Sequence, residues 1–122
     1  MKKTTALRRL LKKKGFVYLP VAYDALGARL LQSLGFDCVY TGGFVTGASR
    51  CTSEPLLTMD GQLRVAGDVA GGVDIPLVGD GGGGFGDPLH TMRTVRECTR
   101  AGTAGSHIED QLYPKRAHYH KY

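Results

Sequence analysis

Apolar positions in this chain follow two periods that alternate along its length. Leu7, Leu10 and Leu11 recur at helical spacing within 4–14, and Phe16 to Leu19 then forms a short apolar run that reads as a strand ending at Pro20. Asp24 caps a helix through Ala25, Leu26, Ala28, Leu30 and Leu31 that Gly35 closes, and Asp37 to Thr41 reads as a second strand. Gly42 to about Pro55, rich in Gly, Ser and Thr, is expected to be a long irregular loop. Thr58 or Asp60 starts a helix through Leu63, Val65, Ala66 and Val69 that ends at Gly71-Gly72. A third strand spans Ile75 to Asp80, Pro88 begins a helix carrying Met92, Val95 and Cys98 that stops at Gly102, and Ala104 to Asp110 gives a fourth strand before a polar tail, 111–122.

Strands separated by helices of this length imply parallel pairing with right-handed crossovers. The expected fold is α/β, a parallel (β/α) TIM-barrel type of which four strands make about half, in one partial domain over 1–122. Ligands of such sheets sit at the carboxyl ends of the strands, so the chemistry is expected on one edge.

Composition narrows the setting. At 122 residues with 42% hydrophobic and 22% charged positions the chain reads as globular, and no apolar stretch approaches a membrane span. Cys38, Cys51 and Cys98 are odd in number and lack C-x-x-C spacing, which fits a reducing, cytoplasmic location. The net charge of +5 concentrates at the start, where Lys2, Lys3, Arg8, Arg9, Lys12, Lys13 and Lys14 stand without an acid among them. Such a helix suits an anionic membrane surface, nucleic acid or a presequence, or docks its three leucines on the core and leaves a solvated basic face. We read it as the docked helix, with no nucleic-acid partner.

The candidate chemistry lies at the strand ends, which are Pro20 with Asp24, Thr41-Gly42-Gly43, Asp80, and Glu109-Asp110. Alternation puts His107 and Glu109 on one face, with Ile108 toward a helix, so Asp80 and Glu109 would converge from adjacent strands. Two such carboxylates suit a hard divalent cation such as Mg²⁺ or Mn²⁺, or else cap the next helix or pair with Lys115 or Arg116, and spacing leaves both open. After Asp80 the run Gly81-Gly82-Gly83-Gly84-Phe85-Gly86 leads into Asp87-Pro88. Bare backbone there can approach an anion or metal-bound ligand, and Gly81-x-Gly83-x-x-Gly86 formally fits a dinucleotide loop. A true dinucleotide loop starts its helix within the glycines, whereas here Asp87-Pro88 restarts it after them, so nucleotide binding is the lesser reading.

A colinear series of segments carries a more specific signal. Ala22-Tyr23-Asp24-Ala25-Leu26, Tyr40-Thr41-Gly42-Gly43, Leu57-Thr58-Met59, Asp80 with Gly84-Phe85-Gly86, Arg93-Thr94-Val95-Arg96, and above all His107-Ile108-Glu109-Asp110-Gln111 followed by Pro114-Lys115-Arg116 stand in that order. In this the chain resembles the isocitrate lyase and phosphoenolpyruvate mutase superfamily of (β/α)₈ barrels, over its N-terminal half. The resemblance implies a Mg²⁺- (or Mn²⁺-) dependent C-C bond lyase, phosphomutase or decarboxylase acting on 2-hydroxy or 2-keto di- and tricarboxylic acids through a pyruvate enolate. It implies that Asp80 and Glu109 hold the metal, the second through water. Tyr40, Thr41, Gly42 and Gly43, with Asp80, would bind the substrate carboxylate, and Lys115 and Arg116 would begin a gating loop.

The departures are equally specific. The family pattern D-x-D-T-G-[YF]-G becomes Asp80-Gly81-Gly82-Gly83-Gly84-Phe85-Gly86, which removes one water-mediated metal anchor. Ala117 replaces the family's general-acid cysteine, and His118-Tyr119-His120 follows; His118 or His120 would supply a proton near neutral pH, or belong to a solvated tail. The acid expected before Leu57 is out of register, with Ser53 near that place and Glu54 beside it. Ser106 falls on the helix-facing side of the last strand, where a buried hydroxyl weakens packing. Because a complete barrel needs about 250 residues, the expected partners are a small carboxylic acid and either a second copy, as a homo-oligomer, or a missing C-terminal half. The rival function is an inactive fragment that only folds, oligomerises or binds.

Overall fold

The computed structural model describes residues 1–119 and 121. Helix α1, Lys3–Lys14, is followed by α2, Ala25–Ser33, strand β1, Val39–Thr41, helix α3, Gly43–Ser49, and a 3-10 turn, Glu54–Leu56. Helix α4, Met59–Gly72, strand β2, Leu77–Asp80, helix α5, Pro88–Arg100, and strand β3, Gly105–His107, complete the order. The sheet is parallel, β1-β2-β3, with Val39 opposite Leu77, Thr41 opposite Gly79, and Asp80 opposite His107.

Local chemistry explains most boundaries. The Asp24 carboxylate accepts from Gly27 N at 2.6 Å, Thr58 Oγ1 from Gly61 N at 3.1 Å, and Asp87 Oδ1 from Leu89 N and His90 N. Each side chain satisfies an amide that the first turn leaves without a helical partner.

Alternation along the strands makes two cores. Val39 and Leu77 face the helices with Ala28, Val65, Val69 and Val73, whereas Cys38 and Val78 face the other side, where α1 docks Leu7 and, in part, Leu10. Leu11, expected on the core, is half exposed. Lys3 anchors α1 by donating to Ala70 O and Val73 O at the end of α4, both at 2.6 Å.

Three expectations change. Phe16 to Leu19 form no strand, and the sheet contact of this stretch comes after them, a bridge between Val21 and Tyr40 in which Tyr40 N donates to Pro20 O and Ala22 N to Tyr40 O. This segment lies at the sheet edge and Pro20 brings no N–H, so a full ladder does not form. The expected loop 42–55 contains α3 and the 3-10 turn, because burial of Thr46 and Gly47 offsets the weak helix propensity of a Gly, Ser and Thr run. Ser106 is exposed at the other edge, its hydroxyl 3.4 Å from Thr103 Oγ1, so it carries no burial penalty.

Candidate functional site

The loops at the carboxyl ends of β1, β2 and β3 meet around Asp80. One Asp80 oxygen accepts from Gly43 N and the other from Gly82 N, both at 2.8 Å, while the buried Gln62 side chain donates to Asp80 O at 2.8 Å. The carboxylate is thereby held by two amides, and its backbone by Gln62. Glu54, on the 3-10 turn, and Glu109, past β3, bring one oxygen each to a set in which these and an Asp80 oxygen all lie within 4.8 Å of one another. Gly43 has to be glycine for this meeting, since a Cβ there would stand 2.6 Å from Glu54 Oε1.

Lys115 enters the same place. Its ammonium donates to Glu109 Oε1 at 2.6 Å and to Glu54 Oε1, and its side chain is only 11% exposed. Burial opposes the charge, but the hydrogen bonds to Glu109 and Glu54 and the charges of Glu54 and Asp80 outweigh it and raise the Lys115 pKa, so it stays protonated at neutral pH. Beyond it Ala117 is buried, Tyr119 donates its hydroxyl to Glu54 Oε2 at 2.8 Å, and the Tyr119 ring meets Phe44 edge-on at 5.7 Å. The space left between Gly43, Glu54, Asp80, Gly82 and Lys115 is about 20 Å³, room for one water.

Tyr40 lies beside this cluster, its ring 5.4 Å from that of His107. Burial and the adjacent Asp80 charge raise its pKa and keep the phenol neutral. Thr41 is turned the other way, in register with Gly79 on the helix side, and its hydroxyl has no hydrogen-bond partner among the described residues. The 41–43 segment reaches the cluster through the Gly43 amide and not through a hydroxyl. Arg116 is exposed, with its amide 3.4 Å from Gln111 Oε1; His118 is exposed against Tyr119, and His120 lies outside the described residues.

Asp80, Glu109 and Lys115 are thus brought together, and the two alternatives left open by spacing coexist: the acids converge and Glu109 pairs with Lys115. Sequence reasoning placed Glu54 beside the expected position but did not count it as a ligand, and it missed Gln62. The signal for Gln62 was present, as the polar first member of the stripe Gln62, Val65, Ala66, Val69, Ala70.

Three amides of the glycine loop already have partners within the protein. Gly81 N donates to His107 O, Gly82 N to Asp80 and Gly84 N to Gly81 O, so these amides are committed internally. The steric demands are uneven. At Gly84, with φ +83°, a Cβ would fall 2.2 Å from Thr91 Oγ1, whereas at Gly82 and Gly83 nothing lies nearer than 3.7 Å.

An all-oxygen donor set of three carboxylates, one held rigidly by two amides, fits a hard divalent cation. Comparison with known proteins agrees with that fit. The sequence model described as phosphoenolpyruvate phosphomutase matches residues 7–121. A 2,3-dimethylmalate lyase of Eubacterium barkeri is 37% identical over 118 residues, which are 95% of this chain and 41% of the relative. The crystal structure of phosphoenolpyruvate phosphomutase from Streptomyces platensis subsp. rosaceus superposes with a TM-score of 0.91 at 35% identity, covering 97% of this chain and 42% of that one. A phosphonopyruvate hydrolase solved with oxalate and Mg²⁺ gives a TM-score of 0.87 at 30% identity, over 95% of this chain and 41% of that one. The chain therefore spans about two-fifths of the length of these proteins.

Proposed function

Because this chain belongs to the phosphoenolpyruvate phosphomutase family, we propose that it is the metal- and carboxylate-binding part of a Mg²⁺-dependent C-C bond lyase, phosphomutase or decarboxylase acting on 2-hydroxy or 2-keto acids. The observation that carries this reading is the meeting of Glu54, Asp80 and Glu109 within 4.8 Å. Asp80 and Glu109 would hold Mg²⁺ or Mn²⁺, with Glu54 as a further ligand. A bound cation would polarise substrate oxygens and offset the negative charge that develops as the bond breaks.

The chain's own groups supply the rest. The Gly43 and Gly82 amides hold Asp80 in one orientation, and Tyr40, neutral beside Asp80, would offer a hydroxyl to a substrate carboxylate. Lys115 and Arg116 stand on the segment that covers the site, with Lys115 against the acids. Ala117 brings no acid there, so proton transfer falls to His118 or His120 in this reading. The untethered thiols of Cys38, Cys51 and Cys98 support a cytoplasmic setting. No helix among the described residues is long and apolar enough to cross a membrane.

Complete catalysis is proposed for a closed barrel, reached with a second copy or a continuing chain. Support comes from the two open edges, with exposed Phe16, Tyr18 and Val21 on one side and Ile108 and Leu112 on the other. A non-catalytic binding module is the second reading, favoured by Gly82, Gly83 and Ala117 and by Lys115 lying on the acids. Calorimetric titration of Mn²⁺ with and without oxalate separates the two. Heat of binding that increases with oxalate supports the enzyme reading, and its absence in both titrations rejects it. Light scattering that finds only monomer excludes closure by a second copy.

A further inference from the structure

Positive charge in this chain is concentrated on one helix. The first fourteen residues carry seven of the sixteen Lys and Arg side chains and none of the eleven acids, so the whole excess of positive charge belongs to α1 and the two residues before it. Arg8, Arg9, Lys12 and Lys13 are exposed, and at about 100° per residue they spread over roughly 140° of the helix opposite Leu7 and Leu10. None of the four has an acidic partner among the described residues, where their side-chain hydrogen bonding is limited to Arg9 Nη1 donating to Met1 Sδ at 3.1 Å. The helix is nevertheless fixed in the fold, since Leu7 packs with Cys38 and Val78 and Lys3 holds two carbonyls at the end of α4. Its leucines are committed to the core, and what it presents outward is charge. It lies across the amino ends of the strands: Cys38 precedes β1, and a Cβ on Gly105, the first residue of β3, would meet Leu7 Cδ2 at 3.1 Å. Glu54, Asp80 and Glu109 gather at the opposite, carboxyl end and leave these cations unneutralised.

We propose that the outer face of α1 is a docking surface for an anionic phospholipid bilayer, on which the protein rests with its carboxylate cluster turned toward the water. Charge complementarity carries the assignment. Four cations on one continuous face match a surface of fixed negative charge, and because none is paired within the protein, docking breaks no ion pair. Each Lys or Arg held near such a surface raises partitioning about fivefold, and four together raise it several hundredfold. Leu11, half exposed beside Arg8 on the helix, and the exposed Met1 add apolar contact at the rim of the face, the composition of a helix that lies on a bilayer and does not span it. A nucleic acid is the poorer match, since residues 1–14 hold no aromatic ring to stack on a base and no Asn or Gln to read one. The surface is separate from the metal-binding reading and stands or falls without it.

Co-sedimentation of the full 122-residue chain with phosphatidylcholine vesicles, with and without about 30% phosphatidylserine, is measured at about 0.1 M and about 0.5 M NaCl. Binding is expected only where phosphatidylserine is present, and most of it is expected to be lost at the higher salt. The double variant Arg8→Glu/Lys12→Glu is expected to partition about thirtyfold less or worse. Arg93→Glu/Arg96→Glu on α5 changes the net charge by the same amount at another exposed face, and is expected to lower partitioning by less than about threefold. Circular dichroism checks that each variant folds; if the α1 reversal does not, Lys12→Gln/Lys13→Gln removes two of the same cations and is expected to show the same thirtyfold loss, to about a factor of three. No binding to the phosphatidylserine vesicles, equal binding to the neutral ones, or an equal loss in the α1 and α5 variants overturns the proposal. Displacement from the vesicles by a DNA duplex at equal phosphate concentration also overturns it and assigns the face to nucleic acid.

Discussion

Gly82→Asp tests whether the loop after β2 has room for a second acid that works with Asp80. Gly82 N already donates to Asp80 Oδ1 at 2.8 Å, so a side chain at 82 starts beside the carboxylate cluster, and a new Cβ meets nothing nearer than Phe85 Cζ at 3.7 Å. The backbone there has φ +53°, a left-handed conformation that Asp adopts more readily than most residues, at a cost on the order of 1 kcal/mol. A carboxylate about 5 Å from a dication, acting through a water, contributes about 1.7 kcal/mol even at the dielectric of bulk water, which is roughly a fifteenfold gain in affinity. Without metal the same substitution adds strain and like-charge repulsion, so the apo protein is expected to melt several degrees lower and to recover when Mn²⁺ saturates it. Calorimetric titration and thermal unfolding with and without Mn²⁺ read both effects. Gly84→Asp is the steric control: φ +83° and a Cβ 2.2 Å from Thr91 Oγ1 should cost well over 2 kcal/mol. A folded Gly82→Asp protein that binds Mn²⁺ no more tightly than the parent refutes the reasoning, as does a Gly84→Asp protein as stable as Gly82→Asp.

Three further outcomes follow from single contacts. Lys3→Met removes both 2.6 Å bonds to Ala70 O and Val73 O and should cost about 1–3 kcal/mol in urea unfolding, with α1 loosened first. Gln62→Leu leaves Asp80 O without its side-chain donor and should also cost about 1–3 kcal/mol, while weakening Mn²⁺ binding through a less rigid Asp80. Burial, helped by the Asp37 charge, raises the Cys38 thiol from 9.0 to about 11 against a lowering backbone hydrogen bond. Since the folded form then holds its proton more tightly than the unfolded chain, stability is unaffected below pH 9 and declines as pH rises from 9 toward 11. At pH 8 a thiol reagent should label the exposed Cys51 at once and Cys38 only on unfolding.

Much of the fold was legible because its cues are local. Asp24, Thr58 and Asp87 each cap a helix through their own next few amides, and Gly35 and Gly102 take the positive φ that ends one. The first strand was overread because an apolar run states a preference for extended backbone and says nothing of whether a neighbour exists on each side. Helix α3, Gly43–Ser49, escapes the sequence pattern for the opposite reason, since burial of Thr46 and Gly47 decides it against propensity.

Residue patterns alone set the alternation of elements, the single edge that carries the polar strand ends, and the family whose motif order the chain shares. They also point to Asp80 and Glu109. It takes the folded chain to show that Glu54 joins them, that Thr41 sits on the helix side of the sheet, and that Lys115, 61 residues beyond Glu54, pairs with Glu54 and Glu109. The fold decides too that Gly84 is held by close contact and conformation, whereas Gly82 shares only the left-handed conformation and a side chain at Gly82 or Gly83 would meet nothing nearer than ordinary van der Waals contact at 3.7 Å. The reason is range. Caps and turns are settled by forces within a few residues, whereas a charge cluster depends on which loops the folded sheet brings to one end, and its sign is balanced by whichever distant residue lands there.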